Sequence, residues 1–285
     1  MSPTALALLV ASAALHMGWN FLVKRAGEKQ VFTWLALVVG PVCFAPFVLV
    51  GASFPAQIWP YVIASALVEL IYFMALTYAY GKNDFSLVYP LARGAAPALL
   101  AVWAVLFLGE RLRATGLLGL ALLVIGLMVV GGAAWWARRG AAAPNLAGVL
   151  AALGVACCIS IYSAIDGAAV RHADPLPYIV LVMSLTAALL APPMLLRYGQ
   201  RALIAEWRAN WRRIVLVGIA TMFAYIFVLQ AYAIGSVSYA GAIREISVVF
   251  GALAGWLWLG EGFGAARTAG AALIFLGILV IAVAG

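Results

Sequence analysis

Apolar residues run along this chain in stretches of about 20, broken by short polar segments. At 1.5 Å rise per residue, a helix of that length crosses the roughly 30 Å hydrocarbon layer of a bilayer. Charges and Pro/Gly clusters divide the chain into ten such runs: 4–23, 31–50, 58–80, 86–108, 114–132, 146–165, 177–196, 213–233, 238–259 and 266–283. The alternating segments of a membrane barrel do not occur. Backbone groups in lipid must bond within their own segment, so each run is expected to be a helix. The pattern predicts an all-α integral membrane protein with ten transmembrane helices. The longest connection, 197–213, places Leu203, Ile204, Trp207 and Trp211 on one helical face and Arg197, Arg201, Arg208 and Arg212 on another. It reads as an amphipathic helix lying in the headgroup layer.

Composition agrees with this pattern. Of 285 residues, 67% are hydrophobic and 9% charged, with a mean hydropathy of +1.12. Soluble domains carry about 25% charge, so this chain has too few polar groups to cover a water-facing surface. The net charge of +8 is carried between apolar runs, where it meets lipid headgroups rather than nucleic acid. Cys43, Cys157 and Cys158 lie in apolar runs, without a Cys-x-x-Cys pair, so neither a disulfide framework nor a metal site is expected. No phosphate-binding G-x-x-x-x-G-K-[ST] loop and no His/Asp constellation appear, so nucleotide-driven chemistry, a cofactor and an enzymatic activity are not expected. The first run lacks a preceding basic region and reads as a span, not a removed signal peptide. Of the 17 basic residues, twelve fall in connections after odd-numbered spans and three in the opposite set. The first set is therefore expected to be cytoplasmic, with both termini on the outer face of a bacterial inner membrane.

The chain repeats itself. Arg93–Glu110 and Arg244–Glu261 both begin with an arginine in an apolar run and end in Leu-Gly-Glu. Gly119 and Gly126 fall on Gly270 and Gly277 at the same offset. The halves are 1–140 and 141–285. Five spans per half is odd, so the halves enter the membrane from opposite sides, an inverted repeat of the kind that alternating-access transporters use.

Ten spans, the five-plus-five duplication and Leu106-Phe107-Leu108-Gly109-Glu110-Arg111 resemble the drug/metabolite transporter (DMT) superfamily, in its EamA-like group. Leu259-Gly260-Glu261 echoes that motif, but lacks the arginine found at Arg111. Leu15-His16-Met17-Gly18-Trp19-Asn20, with Lys24 after it, is similar to the branch found beside phosphonate-utilisation genes. The resemblance implies a secondary carrier for small polar metabolites, with a central cavity between the halves; it does not name the substrate.

Charges inside spans cost about 2.5–3.5 kcal/mol each on insertion scales and mark pathways. They are His16, Glu69, Arg93, Arg244 and Glu245. Guanidinium groups bind carboxylate or phosphonate bidentately, so Arg93 and Arg244 are candidate substrate contacts. Each could instead pair with an internal glutamate and lock two helices. Counted from opposite faces, the two arginines are expected to be displaced in opposite directions. Pro97 removes the hydrogen bond to the Arg93 carbonyl, so the fourth span is expected to open there. Glu69, Glu245 and His16 are the candidates for proton coupling. Trp19, Asn20, Tyr72, Tyr78, Gln230 and Tyr232 are candidate cavity-lining groups. Glu110 and Glu261, at helix ends, read as structural, capping or pairing with Arg111, Arg113 or Arg267. The leading reading is a carrier for a metabolite with an anionic group, such as an amino acid, organic acid or phosphonate. The alternative is a proton-coupled exporter of cationic or amphipathic compounds. A homodimer is compatible with either.

Overall fold

A computed structural model describes residues 1–24, 26–49, 55–82, 85–136, 146–247, 249–250 and 265–284. Every element among them is helical: α1 (Pro3–Lys24), α2 (Lys29–Leu49), a single 3-10 turn at Ala56–Ile58, α3 (Trp59–Lys82), α4 (Phe85–Phe107), α5 (Ala114–Trp136), α6 (Leu146–Ala169), α7 (Pro175–Ile234), α8 (Val237–Ile243) and α9 (Ala265–Ala284). Five helices are long and apolar enough to cross a membrane (α1, α2, α3, α6 and α7), and α4, α5 and α9 hold shorter apolar stretches. Their outer faces stay apolar: Ile63, Leu67, Ile71 and Met74 form an exposed stripe on α3, and Leu216, Phe223 and Ile234 do so on α7. A surface of that kind is stable against lipid, not water. The chain is a helical, multi-pass integral membrane protein.

Two expectations about segmentation need correction. α7 is two helices joined at a kink: the run 177–196 lies before the kink, and the basic link after it runs on into 213–233 without a break. Its only non-helical dihedrals are at Gly199 (φ 72°, ψ 161°). From Gln200 to Ile234 no proline interrupts the backbone ladder, so the amphipathic segment continues directly into the apolar one. Glycine takes the positive φ at the one bend because it has no Cβ to clash. The second correction is in the ninth run. α8 ends at Ile243 after 7 residues, a turn follows at Arg244 and Glu245, and helical residues resume at Ile246; 251–259 of the run lie outside the described residues. The expected opening at Pro97 is not seen, since α4 is helical without interruption from Phe85 to Phe107. The interruption falls instead on the repeat partner, at Arg244 and Glu245.

Among the described residues, each buried apolar cluster draws on both halves of the sequence. One buried apolar cluster includes Leu9, Val62, Leu100 and Leu123 from the first half, with Tyr178, Leu229, Ile243 and Ile278 from the second. Apart from α4 with α5, the extensive helix pairings cross between halves: α5 with α9, α2 with α7, α3 and α4 with α6, and α1 with α7. Lipid is as apolar as leucine, so helices gain little hydrophobic energy by pairing; close backbone packing and hydrogen bonds take over. A Cβ built on Gly119 would lie 2.8 Å from the Gly277 carbonyl oxygen, and one on Gly126 would lie 2.7 Å from that of Gly270. α5 and α9 therefore run antiparallel with their backbones in contact. α2 and α7 meet similarly at Gly40 and Gly218. Ser12 Oγ donates to the Ala224 carbonyl at 2.7 Å, and Trp34 Nε1 to that of Ala187 at 3.0 Å.

Candidate functional site

α8 is short because its hydrogen bonding tightens at its end. The Arg244 N–H still reaches the Ala240 carbonyl (3.1 Å), but Glu245 N–H bonds Ala242 and Ser247 N–H bonds Arg244, each three residues back. The turn presents two adjacent charges in the bundle interior. Glu245 Oε2 lies 3.0 Å from Arg93 Nε, and both side chains are buried. The Arg244 guanidinium sits over the Tyr225 ring, 5.7 Å from its centroid, with Tyr162 and Tyr232 within electrostatic reach. A narrow cavity opens beside it, lined by Pro97, Ser160, Ser163, Tyr232, Arg244 and Glu245 among others. Ser160 Oγ accepts from Trp103 Nε1 at 2.9 Å and donates to the Cys157 carbonyl at 2.8 Å. The Tyr232 hydroxyl is buried without a hydrogen-bond partner of good geometry among the described residues, although Ser163 is close by.

Arg93 and Arg244 come together at Glu245, which pairs with Arg93 and follows Arg244 in the chain. His16 lies within electrostatic reach of both arginines, its ring edge-on to Trp19 at 4.8 Å.

A second polar centre lies nearby. Asp166 on α6 is fully buried. Its Oδ1 accepts from Ser65 Oγ at 2.6 Å and from the Tyr178 hydroxyl at 2.5 Å, and its Oδ2 accepts from the Tyr225 hydroxyl. Glu69, also buried, accepts from Thr186 Oγ1 at 2.9 Å. Tyr225 thus joins the two centres: its ring lies under Arg244 and its hydroxyl bonds Asp166.

Glu110 has a structural position that its sequence neighbours did not indicate. It pairs with neither Arg111 nor Arg113 among the described contacts. Its carboxylate instead caps α8 from the other half, accepting from Val237 N–H (2.6 Å), Ser238 N–H (3.2 Å), Ser236 Oγ (2.6 Å) and Ser238 Oγ. Arg171, from the α6–α7 connection, lies 3.7 Å from Glu110 and donates to the Leu108 carbonyl at 3.0 Å. A helix N-terminus exposes unpaired N–H groups and favours a negative charge, so a carboxylate suits this place.

The remaining candidates separate. Tyr232 lines the cavity, and Tyr72 stands edge-on to Tyr162 at 6.1 Å. Tyr78 is exposed in line with Leu67, Ile71 and Met74 on the outer stripe of α3. Gln230 is exposed on the side of α7 that carries Phe223 and Ile234. Asn20 is exposed, its Nδ2 donating to the His16 carbonyl at 2.7 Å. Periodicity shows which residues share a face, but not which face meets the cavity. Glu261 lies outside the described residues. Asp166 was missed because the sixth run was ended at 165. The helix continues to Ala169, since Gly167-Ala168-Ala169 contains no proline, and an acid there, one turn from Tyr162 and Ser163, was the available signal.

Membrane-length helices sharing one core, with paired charges and a buried acid inside, define a polytopic helical membrane protein with a polar interior. Residues 146–283 match the EamA-like transporter family. A solved crystal structure superposes on the chain with a TM-score of 0.77 at 21% identity, covering 99% of this chain and 98% of that one, so the likeness of fold extends over both halves. No curated protein sequence matches the chain. Residues 146–283 are thus an EamA-like transporter domain, the kind of domain found in membrane transporters of the drug/metabolite transporter type.

Proposed function

We propose that the chain is a secondary carrier made of two inverted five-span repeats, 1–140 and 141–285, with ten spans in all. It moves a small polar metabolite bearing an anionic group by alternating access across a bacterial inner membrane, with both termini outward. The observation that carries this reading is Arg244. It sits where a helix breaks off inside the bundle, beside a cavity and among three tyrosines. Arg93 is engaged by Glu245, which leaves Arg244 as the principal anion contact. Tyr232 and Ser163 add hydroxyl donors. The inverted arrangement is supported by the reciprocal glycine contacts, because Gly119 meets Gly277 and its repeat partner Gly270 meets Gly126.

A thermal-shift screen of the purified protein tests this, since a binder stabilises the folded state by mass action. Glutamate, succinate, phosphoserine and 2-aminoethylphosphonate form one set, and hydrophobic amines the other. At least one anionic compound should raise the melting temperature in wild type and not in Arg244→Ala. Stabilisation by amines alone, unchanged in Arg244→Ala, would favour the other reading, a proton-coupled exporter of cations, for which buried Glu69 and Asp166 speak.

A further inference from the structure

We propose that Asp166 is the carrier's proton site, loaded at Oδ2 and linked through Tyr225 to the anion contact at Arg244. The inference rests on the proposed carrier function and adds to it the group that carries the coupling ion. Asp166 is fully buried, and its direct partners are three hydroxyls, not a cation. Those hydroxyls come from three segments: Ser65 on α3, Tyr178 in the first part of α7 and Tyr225 in the last. The charged and titratable groups around it are Glu69 on α3, Tyr178 and Tyr225 on α7, Tyr232 further along α7, and Arg244 after α8.

The two carboxylate oxygens are not equivalent. A carboxylate oxygen has two lone pairs. Both on Oδ1 are taken, by Ser65 and Tyr178. Oδ2 accepts one bond, from Tyr225, and has a lone pair free for a proton among the described contacts. When a proton from the aqueous phase forms an O–H bond at Oδ2, the carboxylate becomes a neutral acid and Tyr225 need no longer donate there. The Tyr225 hydroxyl can then accept from the new O–H or turn toward the cavity. Its ring is the platform under Arg244, so the proton and the anion contact share one movable side chain. Ionised Asp166 also partly neutralises Arg244, and its protonation leaves the guanidinium more strongly positive toward an incoming anion. This predicts co-binding of proton and anion.

Infrared difference spectroscopy of the purified protein, titrated from acid to alkaline pH, tests the site without any substrate. Wild type should show a protonated-carboxyl C=O band that Asp166→Asn removes and that both Glu69→Gln and Glu245→Gln retain. The C=O oxygen of the acid would be Oδ1. Tyr178→Phe, which takes a donor from Oδ1, should therefore move the band to higher frequency, and Tyr225→Phe should leave it nearly in place. If Asp166→Asn does not fold, wild type grown with carboxyl-labelled aspartate answers the same question. The chain has three aspartates; Asp174 is exposed and Asp84 falls between two apolar runs of the sequence, so a buried-type band that shifts with the label belongs to Asp166. A band insensitive to both the substitution and the label, or no titrating band at all, overturns the proposal and makes Asp166 a permanently charged structural hub. A shift in Tyr225→Phe instead of Tyr178→Phe overturns the assignment to Oδ2. None of these outcomes depends on Arg244, so they can fail while anion binding in the thermal-shift screen succeeds, and the reverse.

Discussion

Removing the Glu110 carboxylate is the most informative test of how the halves are held together. Glu110→Ala deletes four hydrogen bonds to the start of α8. The side chain is 8% exposed, so solvent screens the contact little. Losing a partner strands each buried donor at about 1–3 kcal/mol. The two backbone N–H groups, of Val237 and Ser238, are the ones that cannot turn away. Ser236 limits the damage. It occupies the N-cap position, but its hydroxyl makes no cap bond, since it is turned toward Glu110. Freed by the substitution, it can cap the helix itself, recovering about 1 kcal/mol. The net loss expected for Glu110→Ala is about 3 kcal/mol, or roughly 6–10 °C in melting temperature for a chain of this size. Ser236→Ala alone should cost about 1 kcal/mol. The double substitution should be about 1 kcal/mol worse than Glu110→Ala, because neither cap remains. Thermal unfolding of the four proteins in detergent measures this. A melting temperature for Glu110→Ala within a degree of wild type, or a double substitution no less stable than Glu110→Ala, would refute the reasoning. Arg171, at 38% exposure, should contribute little on its own.

Other expectations follow from the same geometry. Arg93→Ala strands Glu245 in the interior and should cost about 3–5 kcal/mol, whereas Arg93→Met with Glu245→Met should cost clearly less; equal losses in thermal unfolding would contradict a closed ion pair. Gly126→Ala pushes a Cβ into the Gly270 carbonyl at 2.7 Å and should separate α5 from α9, costing about 1–3 kcal/mol; unchanged stability would mean that the helices do not touch there. Gln230→Ala and Asn20→Ala alter exposed groups and should stay within about 0.5 kcal/mol of wild type, with unchanged ligand-induced shifts; loss of anion binding in Gln230→Ala would place that face of α7 on the substrate path.

Much of the helical layout was legible because lipid enforces simple rules. Each crossing needs its own apolar run, and each backbone group bonds within it. The in-span charges were legible for the same reason, since Arg93, Arg244, Glu69 and Glu245 stand out against apolar neighbours. Their pairing was not. Arg93 finds Glu245 across 152 positions of sequence, and nothing local distinguishes that partner from Glu69 or Glu110. The bends were only partly legible. Gly199 looks like many other glycines in the chain, and Pro97, the conspicuous helix breaker, is accommodated within α4.

The Leu-Gly-Glu motif shows where the division falls. Sequence alone determined that Glu110 follows the end of an apolar helix. It also determined that the protein lies in a membrane, because 67% hydrophobic residues cannot face water. Only the tertiary structure decided that Glu110 caps α8 instead of its own helix, that Tyr225 links Arg244 to Asp166, and that Tyr78 and Gln230 face outward. The physical reason is range. Hydropathy acts on each segment separately and leaves its mark along the chain. Hydrogen bonds and ion pairs act over about 3 Å between atoms, so their partners are chosen by how the helices happen to pack.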